Sequence, residues 1–251
     1  MIPTPACPAC NATQRRPYHQ HGQWELYLCA GCGLIYLDPM PDAATLASMY
    51  HNAYDDASTG YFSKPESKLR RSSTRIRIIK RLGGFSGGNF LDVGCNGGFM
   101  VEAARRGGFQ AWGVEPDPVS VEYARTHYPA NNYFNGLIAD FDPKDSNGAP
   151  VKFNAAYCCE VIEHVPQPQE FLRAIHRLLE PGAILYLTTP DISHWRRPRD
   201  LERWDGFCPP SHCLYFTPSS LTALAQRCGF ELIQRRPAWK PGIKLVLRRS
   251  V

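Results

Sequence analysis

The chain has 251 residues, 43% of them hydrophobic and 20% charged, with a formal charge of +5. This composition suits one full globular domain with a small appendage, and it excludes a disordered tail, a collagen and a coiled coil. No apolar run approaches the ~18–20 residues that cross a bilayer, and the start Met1-Ile2-Pro3-Thr4-Pro5-Ala6-Cys7 lacks a charged region followed by an apolar stretch. Neither a membrane span nor a secretory signal is expected, and a cytoplasmic location follows. The mild positive charge does not by itself imply nucleic acid. Ten cysteines are the unusual feature. Four fall in the first 32 residues as two Cys-x-x-Cys pairs; Cys95, Cys158, Cys159, Cys208, Cys213 and Cys228 are scattered. The clustered four read as metal ligands and the scattered six as reduced thiols.

In chain order, Cys7-Pro-Ala-Cys10 and Cys29-Ala-Gly-Cys32 are separated by 18 residues, the spacing of a structural zinc site. A two-residue gap lets both thiolates of a tight turn face one ion, and four thiolates close a tetrahedral shell with no open position for a substrate water. Residues 23–28 alternate like a strand leading into the second pair, and 33–37 lead out as another. Residues 1–37 therefore form a zinc ribbon, read either as a staple for an appendage too short to hold a core or as a recognition element.

Residues 38–84 are expected to be a linker and helical lid: a turn at 38–42, a short helix from Ala43 to about Met49, an aromatic stretch with Tyr50, Tyr54, Tyr61 and Phe62, and a basic amphipathic helix from Glu66 to Leu82 with Leu69, Ile76 and Ile79 inside. From residue 85 the pattern alternates. Strands are predicted at 89–93, 110–114, 133–138, 153–158 and 183–188, with helices at 99–106, 118–127, 168–179 and 218–228. Strands at 231–236 and 243–249, joined by a short Pro/Gly turn, form a hairpin. The fold class is α/β: a Rossmann-like, doubly wound, mostly parallel seven-stranded sheet with one antiparallel strand over 85–251.

Leu91-Asp92-Val93-Gly94-Cys95-Asn96-Gly97-Gly98-Phe99 joins the first of these strands to its helix. Glycines let a ligand approach the backbone, and the helix N-terminus favours a negative group. Glu115 ends the next strand 17 residues beyond Gly98, where a carboxylate can accept both hydroxyls of a ribose. With Asp92-x-Gly94-x-Asn96-x-Gly98 the chain resembles the class I S-adenosylmethionine-dependent methyltransferases, which usually carry Gly at the position of Asn96. The resemblance covers about 85–250. It implies that Asp92, Gly94, Cys95, Asn96 and Gly98 hold the methionine end of S-adenosylmethionine, that Glu115 with Pro116 meets the ribose, and that Asp140 and Phe141 stand at the adenine. An NAD-binding enzyme would show G-x-G-x-x-G, and that spacing fails here.

The fourth strand of this region runs into Cys159-Glu160-Val161-Ile162-Glu163-His164, three ionisable groups within five residues at the sheet edge where ligands bind. The segments 168–182 and 212–221 match the small-molecule branch of the methyltransferases. Glu160-x-x-Glu163-His164 with the later His212 is also similar to the divalent-metal site of small-RNA 2′-O-methyltransferases and to segments of ubiquinone-pathway O-methyltransferases. Three readings stand open. The four residues hold a second divalent ion, suited to manganese, iron, cobalt or zinc, that lowers the pKa of a substrate hydroxyl; His164 acts as a metal-free general base; or Glu163 caps the next helix and His164 packs. Glu160 also falls where the cofactor is expected.

Residues 50–65 and 190–216 are expected to cover the cleft. The second segment carries His194, Trp195, Arg196, Arg197, Arg199, Trp204, Phe207 and His212, suited to a flat or anionic acceptor or to an ordinary lid. Arg70-Arg71 and Arg235-Arg236 read as solvated faces. RNA as acceptor is disfavoured by the lack of a dense Lys/Arg stripe. The ribbon also resembles that of zinc-bearing sugar C-methyltransferases, longer chains with a further C-terminal domain. The expectation is a small-molecule methyltransferase acting at oxygen; its rivals are a methyltransferase of RNA or protein and a non-catalytic binding module on the cofactor fold. Cys95, Cys158, Cys159 and Cys213 are expected to be small wall residues of the cleft rather than nucleophiles.

Overall fold

The computed structural model describes residues 6–42, Thr45 and 62–250. The expected helix from Ala43 to Met49 lies outside these residues apart from Thr45, and Tyr50, Tyr54 and Tyr61 lie outside them altogether. The elements are β1 (Arg15–His21), β2 (Trp24–Cys29), β3 (Ile35–Leu37), α1 (Pro65–Gly83), β4 (Gly88–Val93), α2 (Phe99–Arg106), β5 (Phe109–Glu115), α3 (Pro118–His127), β6 (Asn132–Asn135), β7 (Phe153–Cys159), α4 (Pro168–Leu178), β8 (Leu179–Thr189), β9 (Leu214–Tyr215), α5 (Pro218–Arg227), β10 (Phe230–Arg235) and β11 (Ile243–Arg249). The chain divides into two compact units: residues 1–47, 159–173 and 187–247, and residues 48–158, 174–186 and 248–251.

Seven strands form one sheet in the order β10-β11-β8-β7-β4-β5-β6, with one antiparallel strand. The strand order reverses on either side of β4, and in such sheets ligands bind beyond the carboxyl ends of the strands at that switch point. β4 pairs in parallel with β5 and with β7, placing Val93 opposite both Val114 and Cys158. Phe90, Leu91 and Val93 are buried, as in strands covered on both faces. α2 buries Phe99, Met100, Val101, Ala103 and Ala104 together with Glu102, and ends on Arg105 and Arg106. α3 begins where Asp117 accepts from the Ser120 N–H at 2.8 Å with Pro118 in the first turn, a cap combined with a ring pre-set for helical φ. α1 buries Ser72, Ile76 and Ile79, whereas the expected inner residue Leu69 is half-buried.

The strand predicted at 133–138 is shorter. It stops at Asn135 because Gly136 turns at φ +156° with its N–H on the Glu115 carbonyl, and a 3-10 turn at Ile138–Asp140 follows. The ribbon region holds three strands rather than two. β1 pairs with β2 across a bulge between Pro17 and His19. The segment 190–216, expected to be irregular, contributes β9, so that a second sheet runs β1-β2-β3-β9. Ile35 stands opposite Tyr215 and Tyr36 opposite Leu214.

Candidate functional site

β4 delivers Asp92 and the loop behind it. Gly94 (φ +74°), Asn96 (φ +44°) and Gly98 (φ +76°) lie in the left-handed region. Glycine adopts it freely and asparagine is the side-chain residue that tolerates it best, so the Asn variant of the motif fits its conformation. The Asn96 N–H donates to Glu115 Oε2 at 2.9 Å, and the Asp117 N–H to Glu115 Oε1 at 3.1 Å. Glu115 is thus oriented by the loop it faces. Burial raises its pKa against these two bonds. Asp92 is buried, and burial together with the Glu115 charge pushes its pKa well above the carboxylate range, opposed by Arg75. Gly97 lets two rings pack onto the backbone: a Cβ there would stand 2.8 Å from Phe62 Cε1 and 3.1 Å from Tyr123 Cδ1. The Phe62 and Tyr123 rings stack at 4.0 Å. Cys95 is buried with its Sγ filling the space a Cβ on Gly113 would take, at 2.5 Å.

Asp140 is exposed at the end of its 3-10 turn, and Pro116 is exposed too. Phe141 is buried against Trp112, Phe134 and Phe153. A cleft of about 460 Å³ is lined by Trp112, Tyr133, Asp140 and Phe141 among others. Its size suits a planar heterocycle.

Glu163 and His164 lie on a 3-10 turn after β7, and His212 comes from the far end of the 190–216 segment. One donor atom of each lies within 4.8 Å of the others, and Glu160 does not join this set. Glu160 sits at φ +55°, and its Oε1 accepts from Thr188 Oγ1 at 3.1 Å. Glu163 is 1% exposed. Its Oε2 accepts from Thr189 Oγ1 at 2.8 Å, while Oε1 is buried without a hydrogen-bond partner among the described residues. Burial, and then the Glu160 charge, raise its pKa to about 8. His164 Nδ1 donates to the Ser211 carbonyl at 2.7 Å, and His212 Nδ1 to the Gly206 carbonyl at 2.9 Å. A carbonyl only accepts, so each Nδ1 carries the proton and each Nε2 presents a lone pair. The rings meet edge to face at 4.5 Å. Burial lowers the His164 pKa, and burial with the neighbouring imidazole takes His212 down to about 4. Both rings are therefore neutral at physiological pH.

Cys7, Cys10, Cys29 and Cys32 also bring their sulfurs within 4.8 Å of one another. Each pair closes on a left-handed residue, Asn11 (φ +64°) after the first and Gly33 (φ +74°) after the second. The Cys29 sulfur accepts from the Gly31 N–H at 3.3 Å. The Cys7 and Cys32 sulfurs share a hydrogen bond at 3.7 Å, a contact that lowers the pKa of one thiol of the pair and raises that of the other.

A profile described as a methyltransferase domain matches residues 67–235, more than half of the chain. The chain belongs to the class I S-adenosylmethionine-dependent methyltransferases. It is 31% identical over 123 residues to the mitochondrial ubiquinone biosynthesis O-methyltransferase of Schizosaccharomyces pombe, covering 47% of this chain and 45% of that protein. It is 32% identical over 119 residues to the ubiquinone biosynthesis O-methyltransferase of Pseudomonas paraeruginosa, covering 46% and 50%. The chain spans about half the length of the curated relatives it matches. Its fold is shared with the 1,6-didemethyltoxoflavin N1-methyltransferase of Burkholderia thailandensis, solved with S-adenosylhomocysteine (TM-score 0.62, 18% identity, 94% of this chain and 99% of that one). It is also shared with the magnesium protoporphyrin IX methyltransferase of Synechocystis (TM-score 0.59, 12% identity, 84% and 100%).

Several features of this methyltransferase carry no local sequence signal. Arg75, from α1, faces Asp92 electrostatically and stands 5.7 Å from the Tyr157 ring centroid. Thr189 fixes Glu163, and the Ser211 and Gly206 carbonyls set the two imidazole tautomers. Of the aromatics assigned to the cleft, Trp204 and Phe207 are buried and Trp195 is 78% exposed. Among the described residues no helix is long and apolar enough to cross a membrane.

Proposed function

We propose that this methyltransferase moves the methyl group of S-adenosylmethionine to a hydroxyl oxygen of a small-molecule acceptor, and that Glu163, His164 and His212 form a divalent-metal site serving that step. The observation that carries the reading is the convergence of Glu163, His164 and His212, one donor atom of each within 4.8 Å of the others, with Glu163 Oε1 buried and without a hydrogen-bond partner among the described residues. Metal-binding histidines commonly donate their other ring N–H to a fixed acceptor, as both do here. The donor set, two imidazoles and a carboxylate, suits manganese, iron, cobalt or zinc. A divalent ion held there supplies Lewis acidity that lowers the pKa of an acceptor hydroxyl. Glu160 is kept as a neighbour on the same segment that contributes charge.

The residues also fit the cofactor. The loop after β4 turns through left-handed Gly94, Asn96 and Gly98, and Glu115 is held with both oxygens oriented, one by Asn96 and one by Asp117. We assign Glu115 with Pro116 to the ribose, Asp92, Gly94, Cys95, Asn96 and Gly98 to the methionine end, and Asp140 and Phe141 to the adenine side. In the transfer the S–CH₃ bond breaks as the O–CH₃ bond forms, the sulfonium becomes a neutral thioether, and the hydroxyl proton leaves to water. Charge is neutralised along the path, so in-line positioning supplies much of the rate. The four ribbon cysteines are assigned to one structural zinc, since four thiolates leave no open position. That the named relatives are O-methyltransferases of ubiquinone biosynthesis supports oxygen as the acceptor atom.

Calorimetry with S-adenosylhomocysteine, followed by Mn²⁺ titration of the zinc-loaded protein, tests this. Binding of both is expected. Retention of NAD instead of S-adenosylhomocysteine overturns the cofactor assignment. Methyl transfer undiminished after removal of every divalent ion but the ribbon zinc leaves His164 as a metal-free base.

A further inference from the structure

The ribbon bonds to both segments that carry the Glu163–His164–His212 cluster. On one side, Gln169 in the first turn of α4 donates through Nε2 to the Pro8 carbonyl at 3.0 Å and to Asn11 Oδ1 at 3.1 Å. Both acceptors belong to the first Cys-x-x-Cys knuckle, and Gln169 follows His164 by five residues. On the other side, β3 pairs with β9, and the Leu37 N–H donates to the Cys213 carbonyl at 3.0 Å. That carbonyl belongs to the residue next to His212. The Cys213 N–H in turn donates to the Glu163 carbonyl at 2.9 Å, which closes the path between the two segments.

A third tie reaches His212 through its orienting carbonyl. His19 and His21, two residues apart on β1, share the Glu202 carboxylate: His19 Nε2 meets Oε1 at 3.0 Å and His21 Nδ1 meets Oε2 at 2.8 Å. Both rings stand edge-on to Phe207, at 5.3 and 5.9 Å. Phe207 neighbours Gly206, whose carbonyl holds the His212 ring. An isolated two-residue strand such as β9 has too few ladder bonds to hold a register alone. Here the ribbon sheet supplies the missing edge.

We infer that the N-terminal ribbon is a positioning element for the Glu163–His164–His212 cluster, with Gln169 and Glu202 as the residues that transmit its position. The ribbon zinc then acts at a distance, by holding the knuckle and the strands that bear on the two segments. The metal-binding part of this inference rests on the proposed second metal site, while the positioning of the His212 ring stands without it.

The test uses zinc-loaded protein and Co²⁺ as probe. Nitrogen and oxygen ligands give ligand-field bands without the sulfur-to-cobalt charge transfer that marks thiolate exchange at the ribbon. The unsubstituted protein is expected to take up one further Co²⁺. Gln169→Leu and Glu202→Ala should each weaken it about 10-fold, the scale of losing an outer-shell support. Zinc content should remain one per chain, and Glu202→Gln, which keeps one acceptor oxygen, should recover part of the loss. Undiminished Co²⁺ affinity in the Gln169→Leu/Glu202→Ala double variant overturns the inference. If the unsubstituted protein binds no Co²⁺, the second metal site is refuted, and side-chain ¹⁵N spectra of His212 decide the rest. A single Nδ1–H tautomer that becomes mixed in the double variant supports positioning; an unchanged tautomer overturns it.

Discussion

The backbone N–H of Cys213 donates to the carbonyl of Glu163 at 2.9 Å, and the Cys213 thiol points at the same oxygen from 3.5 Å. This contact joins residues 50 apart and sets His212 beside His164. Burial raises the Cys213 thiol to about 12, so it remains a protonated donor. It serves as a wall and hydrogen-bond residue rather than a nucleophile.

Glu163→Gln keeps the shape and the Thr189 contact but removes the carboxyl group that would ionise to bind a metal ion. Loss of the carboxylate ligand should abolish the ligand-field spectrum of added Co²⁺, an affinity loss of about 100-fold or more, while S-adenosylhomocysteine affinity stays within about twofold. A normal Co²⁺ spectrum in this variant would mean that the carboxylate is no ligand.

Glu115→Ala removes the proposed ribose acceptor and also frees the Asn96 and Asp117 N–H groups. A hydrogen bond to a charged group contributes about 1.5–3 kcal/mol, so S-adenosylhomocysteine should bind roughly 10–100-fold more weakly by calorimetry. Unchanged affinity would place the ribose elsewhere.

Gly97→Ala puts a methyl group 2.8–2.9 Å from two Phe62 ring carbons. Overpacking of this kind costs about 1–3 kcal/mol. The expected result is weaker S-adenosylhomocysteine binding that the second substitution Phe62→Ala largely restores. If the double variant is as weak as Gly97→Ala, contact with the Phe62 ring is not what the added methyl group disturbs.

The alternating strands and helices were legible because buried parallel strands and amphipathic helices announce themselves by pattern. The cofactor loop was legible because left-handed turns require glycine or asparagine at fixed offsets. The second sheet was not. β1 reads Arg15-Arg-Pro-Tyr-His-Gln-His, with no apolar alternation and a proline at its bulge. β9 is two residues long and exists only through its partner β3. The local Glu163-His164 pair and the distant His212 could be named from sequence. Which of Glu160 and Glu163 converges with them could not, because Glu160 turns aside at φ +55° onto Thr188. The carbonyls that fix both imidazole tautomers are backbone atoms, invisible to residue identity.

The last prediction concerns acid stability. Glu102 on α2 is 3% exposed. It accepts from Arg105 Nε at 2.9 Å, Arg106 Nε at 2.7 Å and Asn131 Nδ2 at 3.0 Å. Burial alone would raise its pKa, but the two arginines and Asn131 outweigh it and hold the group near 2, against an ordinary 4.5. A carboxylate whose folded pKa is depressed stabilises the fold above its unfolded pKa and loses that contribution as pH falls toward the folded one. The window is therefore about pH 4.5 to 2. Glu102→Gln should lower stability at neutral pH by about 1–3 kcal/mol, the worth of charged hydrogen bonds with one buried acceptor. Denaturant melts at falling pH should show the two proteins converging through that window. A gap that stays constant from pH 7 to 3 would show that packing, and not the carboxylate charge, is what Glu102 contributes.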